Sequence, residues 1–295
     1  MLQTSVRLLR VRQWVKNLLI FVPVLASHKI PTDGELISFV LAFISLSLCA
    51  STVYVINDIY DVEADKQHPT KCNRPIASGE ISLSNAKLVS VFTAVGALVT
   101  AISVNQTFLN WLLCYFAVTV LYTLFLKRIT MIDVFTLAAL YTLRILAGAA
   151  VTGLEVSFWL LACSGFLFLS LAIAKRYGEI AINISQNRDH SLGRGYRNSD
   201  ANLLLSFGVG SGLIATLVLA LYVNSESIVA LYRSPLVIWG TVPVLLLWIF
   251  RIWIKTHRGE IADDPLLYAT KDPASIAAGL LVAALVVIGA EGWIS

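Results

Sequence analysis

The sequence predicts an all-α, polytopic membrane protein with nine spanning helices. Three observations carry that expectation: 57% of the 295 residues are apolar, only 14% are charged, and the mean hydropathy is +0.77. A soluble fold would have to leave much of this apolar surface in water, whereas helices of about 20 residues bury it in lipid. The apolar runs are continuous and lack the alternation of barrel strands, which excludes a transmembrane β-barrel. Disordered, collagen-like and secreted disulfide scaffolds are excluded by the same composition.

The spans are expected near 17–30, 36–55, 84–104, 107–126, 131–151, 157–174, 201–223, 235–254 and 274–290. The first has a short apolar core, Leu18 to Ala26, behind Arg7, Arg10, Arg12 and Lys16, so a cleaved leader is its competing reading. Trp14 and Lys16 instead suit the interfacial anchors of a retained helix. Cys49, Cys114 and Cys163 lie inside apolar runs and only Cys72 lies in a polar loop, a pattern of packing residues and not of a disulfide framework. The whole chain, 1–295, is expected to be a single integral membrane catalytic domain.

With the N-terminus in the cytoplasm, one face collects all of the 22 Lys and Arg residues except Lys29, Arg144 and Arg233. The positive-inside rule therefore sets the topology, with the C-terminus outside. The protein is expected in the inner (plasma) membrane, with its active site facing the cytoplasm. The net charge of +4 describes that basic face, which meets anionic headgroups of the lipid bilayer; it is no nucleic-acid footprint.

Two loops on this face carry most of the polar residues, 57–82 and 175–200. Each follows the second helix of a four-span set, so the chain can be read as two similar halves with a ninth helix appended. The first loop continues span two. Asp58, Asp61 and Asp65 are spaced i, i+3, i+7, and Asn57 shares their helix stripe. Crowded carboxylates repel unless a cation lies between them, and an oxygen-only ligand set favours Mg²⁺. Lys71 and Arg74 follow as phosphate donors, in a tract from His68 to Gly79 bracketed by prolines; His68 suits either a substrate contact or a hydrogen bond to the loop.

The second loop is basic. Lys175 and Glu179 lie one turn apart, and Arg188, Arg194 and Arg197 follow, opposed by Asp189 and Asp200. This is the pattern of an anion site. Arg144, inside span five, must face the interior and find a partner, and Asp133, three turns earlier on the same face, is the candidate. Ala147, Gly148, Ala149, Ala150 and Gly153 beside it permit close helix packing.

Asn57-Asp58-x-x-Asp61-x-x-x-Asp65 after a second span resembles the first aspartate-rich motif of the UbiA superfamily of intramembrane prenyltransferases, whose fold is nine helices around a central cavity. His68 to Lys71, Arg74 to Gly79, the Arg12-Gln13-Trp14-Val15-Lys16-Asn17 start and the Ala174-Lys175-Arg176-Tyr177-Gly178-Glu179 segment more closely resemble its decaprenyl-phosphate phosphoribosyltransferase branch. Where other members are expected to carry a second aspartate-rich motif, this chain has Lys175 and Arg176.

The resemblance implies transfer of 5-phosphoribosyl from 5-phosphoribosyl-1-diphosphate to a polyprenyl phosphate, releasing diphosphate and giving a precursor of an arabinan-type envelope glycan. It implies Mg²⁺ on Asp58, Asp61 and Asp65, with Asn57 ligating or orienting. Donor phosphates are expected on Lys71, Arg74, Lys175 and Arg176, and the lipid phosphate on Lys16 or Lys127. Tyr177 and Glu179 are expected to contact ribose hydroxyls or orient neighbouring cations. The rival expectation is a Mg²⁺-dependent prenyltransferase that consumes a prenyl diphosphate and an aromatic or other acceptor.

Overall fold

In a computed structural model the structure describes residues 2–27, 31–67, 71–186, 195–226, 228, 232–261 and 264–291. Among these the regular elements are helices: α1 (Leu2–Leu8), a 3-10 helix (Val11–Phe21), α2 (Val22–Ala26), α3 (Asp33–Tyr60), α4 (Val62–Lys66), α5 (Leu83–Val104), α6 (Gln106–Leu124), α7 (Ile132–Thr152), α8 (Phe158–Ser185), α9 (Ala201–Val223), α10 (Pro235–Ile238), α11 (Thr241–His257), α12 (Pro265–Ala269) and α13 (Pro273–Glu291). Eight of the described segments are long and apolar enough to cross a membrane, from Asp33–Tyr60 to Pro273–Glu291, and they coincide with expected spans two to nine. The protein is a multi-pass membrane protein.

Span one is wound differently from the expected α-helix. Arg10 is left-handed (φ 49°), the chain then runs as a 3-10 helix, and Pro23 starts α2. At about 2.0 Å per residue in 3-10 and 1.5 Å in α geometry, Val11–Ala26 still covers roughly 30 Å, the thickness of a hydrocarbon core. The physical reason lies in Lys16 and Asn17, both buried in mid-segment, where polar groups need fixed partners.

Polar caps set the helix starts. Thr32 and Glu35 form a reciprocal capping box on α3, and Ser82, Asn105 and Ser157 cap α5, α6 and α8 with side-chain oxygens. The chain divides into two compact units: residues 1–125 with 143–155, and 126–142 with 156–295. Each is built on a 28-residue helix packed against the next long one, α3 on α5 in the first and α8 on α9 in the second.

In the first unit, Ser45 Oγ donates to the Ala97 carbonyl (2.7 Å) and Thr52 to Thr93 (2.8 Å), so small hydroxyls hold α3 to α5. The later half of α7 belongs to this unit, and Gly148 lies so close to the 3-10 helix that a Cβ there would sit 2.0 Å from the Ile20 carbonyl oxygen. In the second unit, Ser170 Oγ donates to the Gly208 carbonyl (2.7 Å) and accepts from Trp253 Nε1 (3.0 Å), tying α8 to α9 and α11.

Candidate functional site

The acidic corner of the first unit forms where α3 ends. Asp61 caps the helix at φ −90°, ψ 5°, and α4 begins at the next residue. The bend is shallow, since Asp61 N still bonds the Asn57 carbonyl (2.9 Å) and Asp65 N the Asp61 carbonyl (2.8 Å). The carboxylate stripe therefore survives it for Asp58 and Asp65. Asp58, only 3% exposed, and Asp65 are both buried, and Arg74 Nη1 bridges them at 3.0 and 2.6 Å. Asp61 instead accepts from Asn57 Nδ2 (3.0 Å).

Arg10 is the residue that sequence reasoning missed here. Its Nη2 lies 2.6 Å from Asp58 Oδ1, and its guanidinium sits 4.8 Å from the Tyr54 ring centre. In the sequence it was one of four N-terminal cations, and nothing in their spacing singled it out. Lys71 is exposed at the start of a short 3-10 turn, Lys71–Asn73, while His68 lies outside the described residues.

No three Asp, Glu, His or Cys side chains among the described residues converge as a ready-made metal cage. The donor set nevertheless fits a hard cation. Asp58, Asp65, Asp61 and Asn57 offer oxygens only, and two buried carboxylates already share one positive group, the Arg74 guanidinium.

Deeper in the same unit, Arg144 is held by Asn17 Oδ1 (2.8 Å) and the Tyr115 hydroxyl (2.7 Å), with its guanidinium over the Tyr115 ring. Asn17 in turn donates to Ser47 (3.0 Å). The expected partner Asp133 is engaged elsewhere, which corrects that pairing: 11 residues place it about 16 Å along α7, in the half that belongs to the second unit. Lys16 is buried on the 3-10 helix beside Asn17.

In the second unit Asp133 accepts from Arg176 Nε and from the Tyr196 hydroxyl, and Tyr196 accepts from Met131 N (3.0 Å). Burial, and then the hydrogen bond to the Asp133 carboxylate, push the Tyr196 hydroxyl well above the ordinary phenol range, so it remains a donor. Arg176 is 1% exposed and also pairs with Glu179 (2.5 Å). Its guanidinium is thus a buried hub and not an open anion ligand. Lys175 is different: its side chain is 29% exposed, with Nζ 3.4 Å from Asp264 Oδ2.

Asp264 is the second residue missed. It accepts from the Tyr141 hydroxyl (3.1 Å) and caps α12 through Leu266 N (3.1 Å). Asp before Pro265 was a legible helix-start signal, but its reach to Lys175, 89 positions away, was not. Tyr177 bonds His257 Nδ1 (2.7 Å) and stacks on that ring. Lys127 is half-buried in the 3-10 turn Leu126–Arg128. Arg188, Asp189 and Arg194 lie outside the described residues.

The UbiA prenyltransferase family model matches residues 18–277. An uncharacterized protein, y4nM, of Sinorhizobium fredii is 37% identical over 284 residues, 95% of this chain and 54% of that protein. Nodulation protein NoeC of Azorhizobium caulinodans is 35% identical over 269 residues, 90% of this chain and 87% of its own. The decaprenyl-phosphate phosphoribosyltransferase of Mycobacterium tuberculosis is 36% identical over 179 residues, 59% of each chain. The chain thus spans little more than half the length of the first and third of these relatives. Among solved structures, a UbiA homologue from Archaeoglobus fulgidus bound to DMAPP and Mg²⁺ superposes with a TM-score of 0.71 at 19% identity, covering 96% of this chain and 99% of that one. At that identity the match speaks for the fold alone.

Proposed function

Because the chain belongs to the UbiA prenyltransferase family, we propose that it transfers 5-phosphoribosyl from 5-phosphoribosyl-1-diphosphate to a polyprenyl phosphate at the cytoplasmic face of the plasma membrane. The observation that carries this reading is the placement of its charges. The acidic corner is concentrated in the first unit, while the segment where a second acidic motif is expected carries Lys175 and a buried Arg176. One acidic corner plus many cations suits a donor with a phosphate at one end and a diphosphate at the other. The likeness to the mycobacterial phosphoribosyltransferase supports the same choice.

Asp58 and Asp65 would hold Mg²⁺, with Asp61 and Asn57 completing or orienting the set; when bound, the ion would neutralise charge on the departing diphosphate. The chain's own residues do the rest. Arg10, Arg74 and Lys71 supply the first unit's positive charge toward phosphate oxygens, and Lys175, partly exposed on α8, adds a cation from the second unit. Arg176 acts by position, fixing Glu179 and the turn that presents Lys175. The nucleophile, a lipid phosphate, is already anionic, so no strong base is needed, and catalysis rests on orientation and charge stabilisation. Direct displacement inverts C1 of the ribose.

Purified protein in nanodiscs, supplied with Mg²⁺, polyprenyl phosphate and either donor, decides the reading through diphosphate release. Release that requires both 5-phosphoribosyl-1-diphosphate and the lipid phosphate is expected. The rival prenyl-diphosphate reading draws on matches of about a quarter of the chain to digeranylgeranylglyceryl phosphate synthases. Release from a prenyl diphosphate supplied together with an aromatic or other acceptor, with none from the sugar donor, would establish it instead.

A further inference from the structure

The acidic corner is held shut by cations brought from two different parts of the chain. Arg74 comes from the loop after α4 and Arg10 from the junction of α1 with the 3-10 helix, and both bond the same oxygen, Asp58 Oδ1. Two guanidinia on one oxygen repel each other, so the arrangement stands only because two carboxylates share the charge.

The N-terminal arm is built to deliver Arg10 there. Leu8 is buried against Val55, Ile76 and Ala86; the Leu9 carbonyl accepts from Ser51 Oγ (2.8 Å), which also accepts from Trp14 Nε1 (3.0 Å). Arg7 pairs with Glu80 (3.0 Å) and donates to the Asn73 carbonyl. Clamped on both sides, the chain turns through a left-handed Arg10 (φ 49°, ψ 47°), a conformation strained for a non-glycine residue that persists only where the surroundings impose it. The Arg10 side chain that reaches Asp58 remains 28% exposed, and that of Arg74 25%. Both can leave.

We propose that Arg10 and Arg74 are exchangeable counter-cations of the metal carboxylates. Without metal they neutralise Asp58 and Asp65; when a divalent cation takes those oxygens, the two guanidinia are released toward the phosphate groups that accompany it. Metal and a diphosphate-bearing donor then favour each other, because each removes the competitor or supplies the partner of the other, and the coupling is reciprocal. This rests on the reading that Asp58 and Asp65 hold the metal, and it is independent of which diphosphate is the donor.

The test uses the full chain in nanodiscs and Mn²⁺ as probe, with free Mn²⁺ followed by electron paramagnetic resonance and unfolding by scanning fluorimetry. Arg10→Gln keeps the backbone cost at that position but removes the competing charge. It is expected to bind Mn²⁺ about fivefold more tightly than the wild type, the scale of one lost ion pair. It should also melt lower than the wild type in EDTA, with the gap closing at saturating Mn²⁺. Arg10→Lys, which keeps a charge without the planar fork, should fall between the two and serves if the glutamine variant does not fold. Unchanged or weaker Mn²⁺ binding in Arg10→Gln would overturn the exchange, as would a melting deficit that persists with Mn²⁺, the mark of a purely structural strap. If Asp58→Asn binds Mn²⁺ as the wild type does, the metal assignment falls and takes the exchange with it. A failure of the sugar donor in the turnover assay leaves the Mn²⁺ result standing.

Discussion

Replacing Gly148 by alanine tests the contact that seats the 3-10 helix. The added methyl would lie 2.0 Å from the Ile20 carbonyl oxygen, 2.8 Å from its carbon and 2.9 Å from its Cα, all backbone atoms. Carbon and carbonyl oxygen ordinarily meet at about 3.3–3.6 Å, so one backbone must retreat by roughly 1.3 Å. Alanine in a helix interior gains up to about 1 kcal/mol over glycine, whereas overpacking costs about 1–3 kcal/mol even where flexible side chains can yield. Here none can, and the clash wins: a net loss of about 2 kcal/mol or more, seen as a fall in apparent Tm of about 4 °C or more. The retreat also moves Asn17 away from Arg144, one turn from the substitution, so activity should fall with stability. Gly165→Ala is the control, since a methyl there meets nothing within 4 Å. Scanning fluorimetry in nanodiscs reads both. A Gly148→Ala protein that melts at or above the wild type, alongside a neutral Gly165→Ala, would refute the packing argument.

Asp61→Asn should lower diphosphate release by a factor of about 100 to 1,000 without loss of fold, the usual cost of removing one charge-stabilising element; near wild-type turnover in saturating Mg²⁺ would remove Asp61 from the metal set. Lys175→Ala should raise the donor KM while leaving the Mg²⁺ dependence in place, and an effect confined to the lipid phosphate would reassign this cation. Burial pushes the Asp272 carboxyl up, but hydrogen bonds from Arg251, the Ser275 hydroxyl and N–H, and the Tyr268 hydroxyl outweigh it and hold the group well below the usual carboxylate range. A depressed folded-state value stabilises above the unfolded one, near 3.9, and that contribution is lost as pH falls through the folded-state value. Asp272→Asn should therefore melt below the wild type at pH 7, with the gap shrinking below about pH 4; a gap independent of pH would show that the ion pair is not its source. For topology, on a background lacking the native cysteines, Glu226→Cys should react with an impermeant thiol reagent in intact cells and Ser199→Cys only after permeabilisation, and labelling of the second in intact cells would reverse the orientation.

What was legible in the sequence was whatever depends on local pattern. Apolar runs alone placed spans two to nine, because a continuous run of about 20 apolar residues has few other stable fates. The i, i+3, i+7 spacing likewise brought Asp58 and Asp65 to one cation, even across the bend at Asp61. Partner choice over long separations was not legible. Arg144 finds Asn17 and Tyr115, and Asp133 finds Arg176, because α7 divides between the two units and each half takes the partners of its own unit. Helix periodicity reports which face a residue shares, but it carries no information on where the packing unit changes along that face. The same limit hid Arg10 and Asp264, whose roles depend on loops returning over 48 and 89 positions.

The two units resolve the same difficulty, charge at the end of a long helix, in opposite ways. In the second, Arg176 is enclosed with Asp133, itself fully buried, and removing either partner would strand a charge at a cost of about 3–5 kcal/mol. Such a pair is fixed. In the first, the carboxylates are buried but their cations arrive from outside the helix on side chains still a quarter exposed. An anion that is locked in place while its counter-cations are free to be replaced is what a metal-dependent site needs, since ligand exchange then costs no refolding of the helix that holds the oxygens. On the proposed reading the acidic corner of the first unit is the working site, and the Arg176 hub is the frame which keeps Lys175 in reach of solvent.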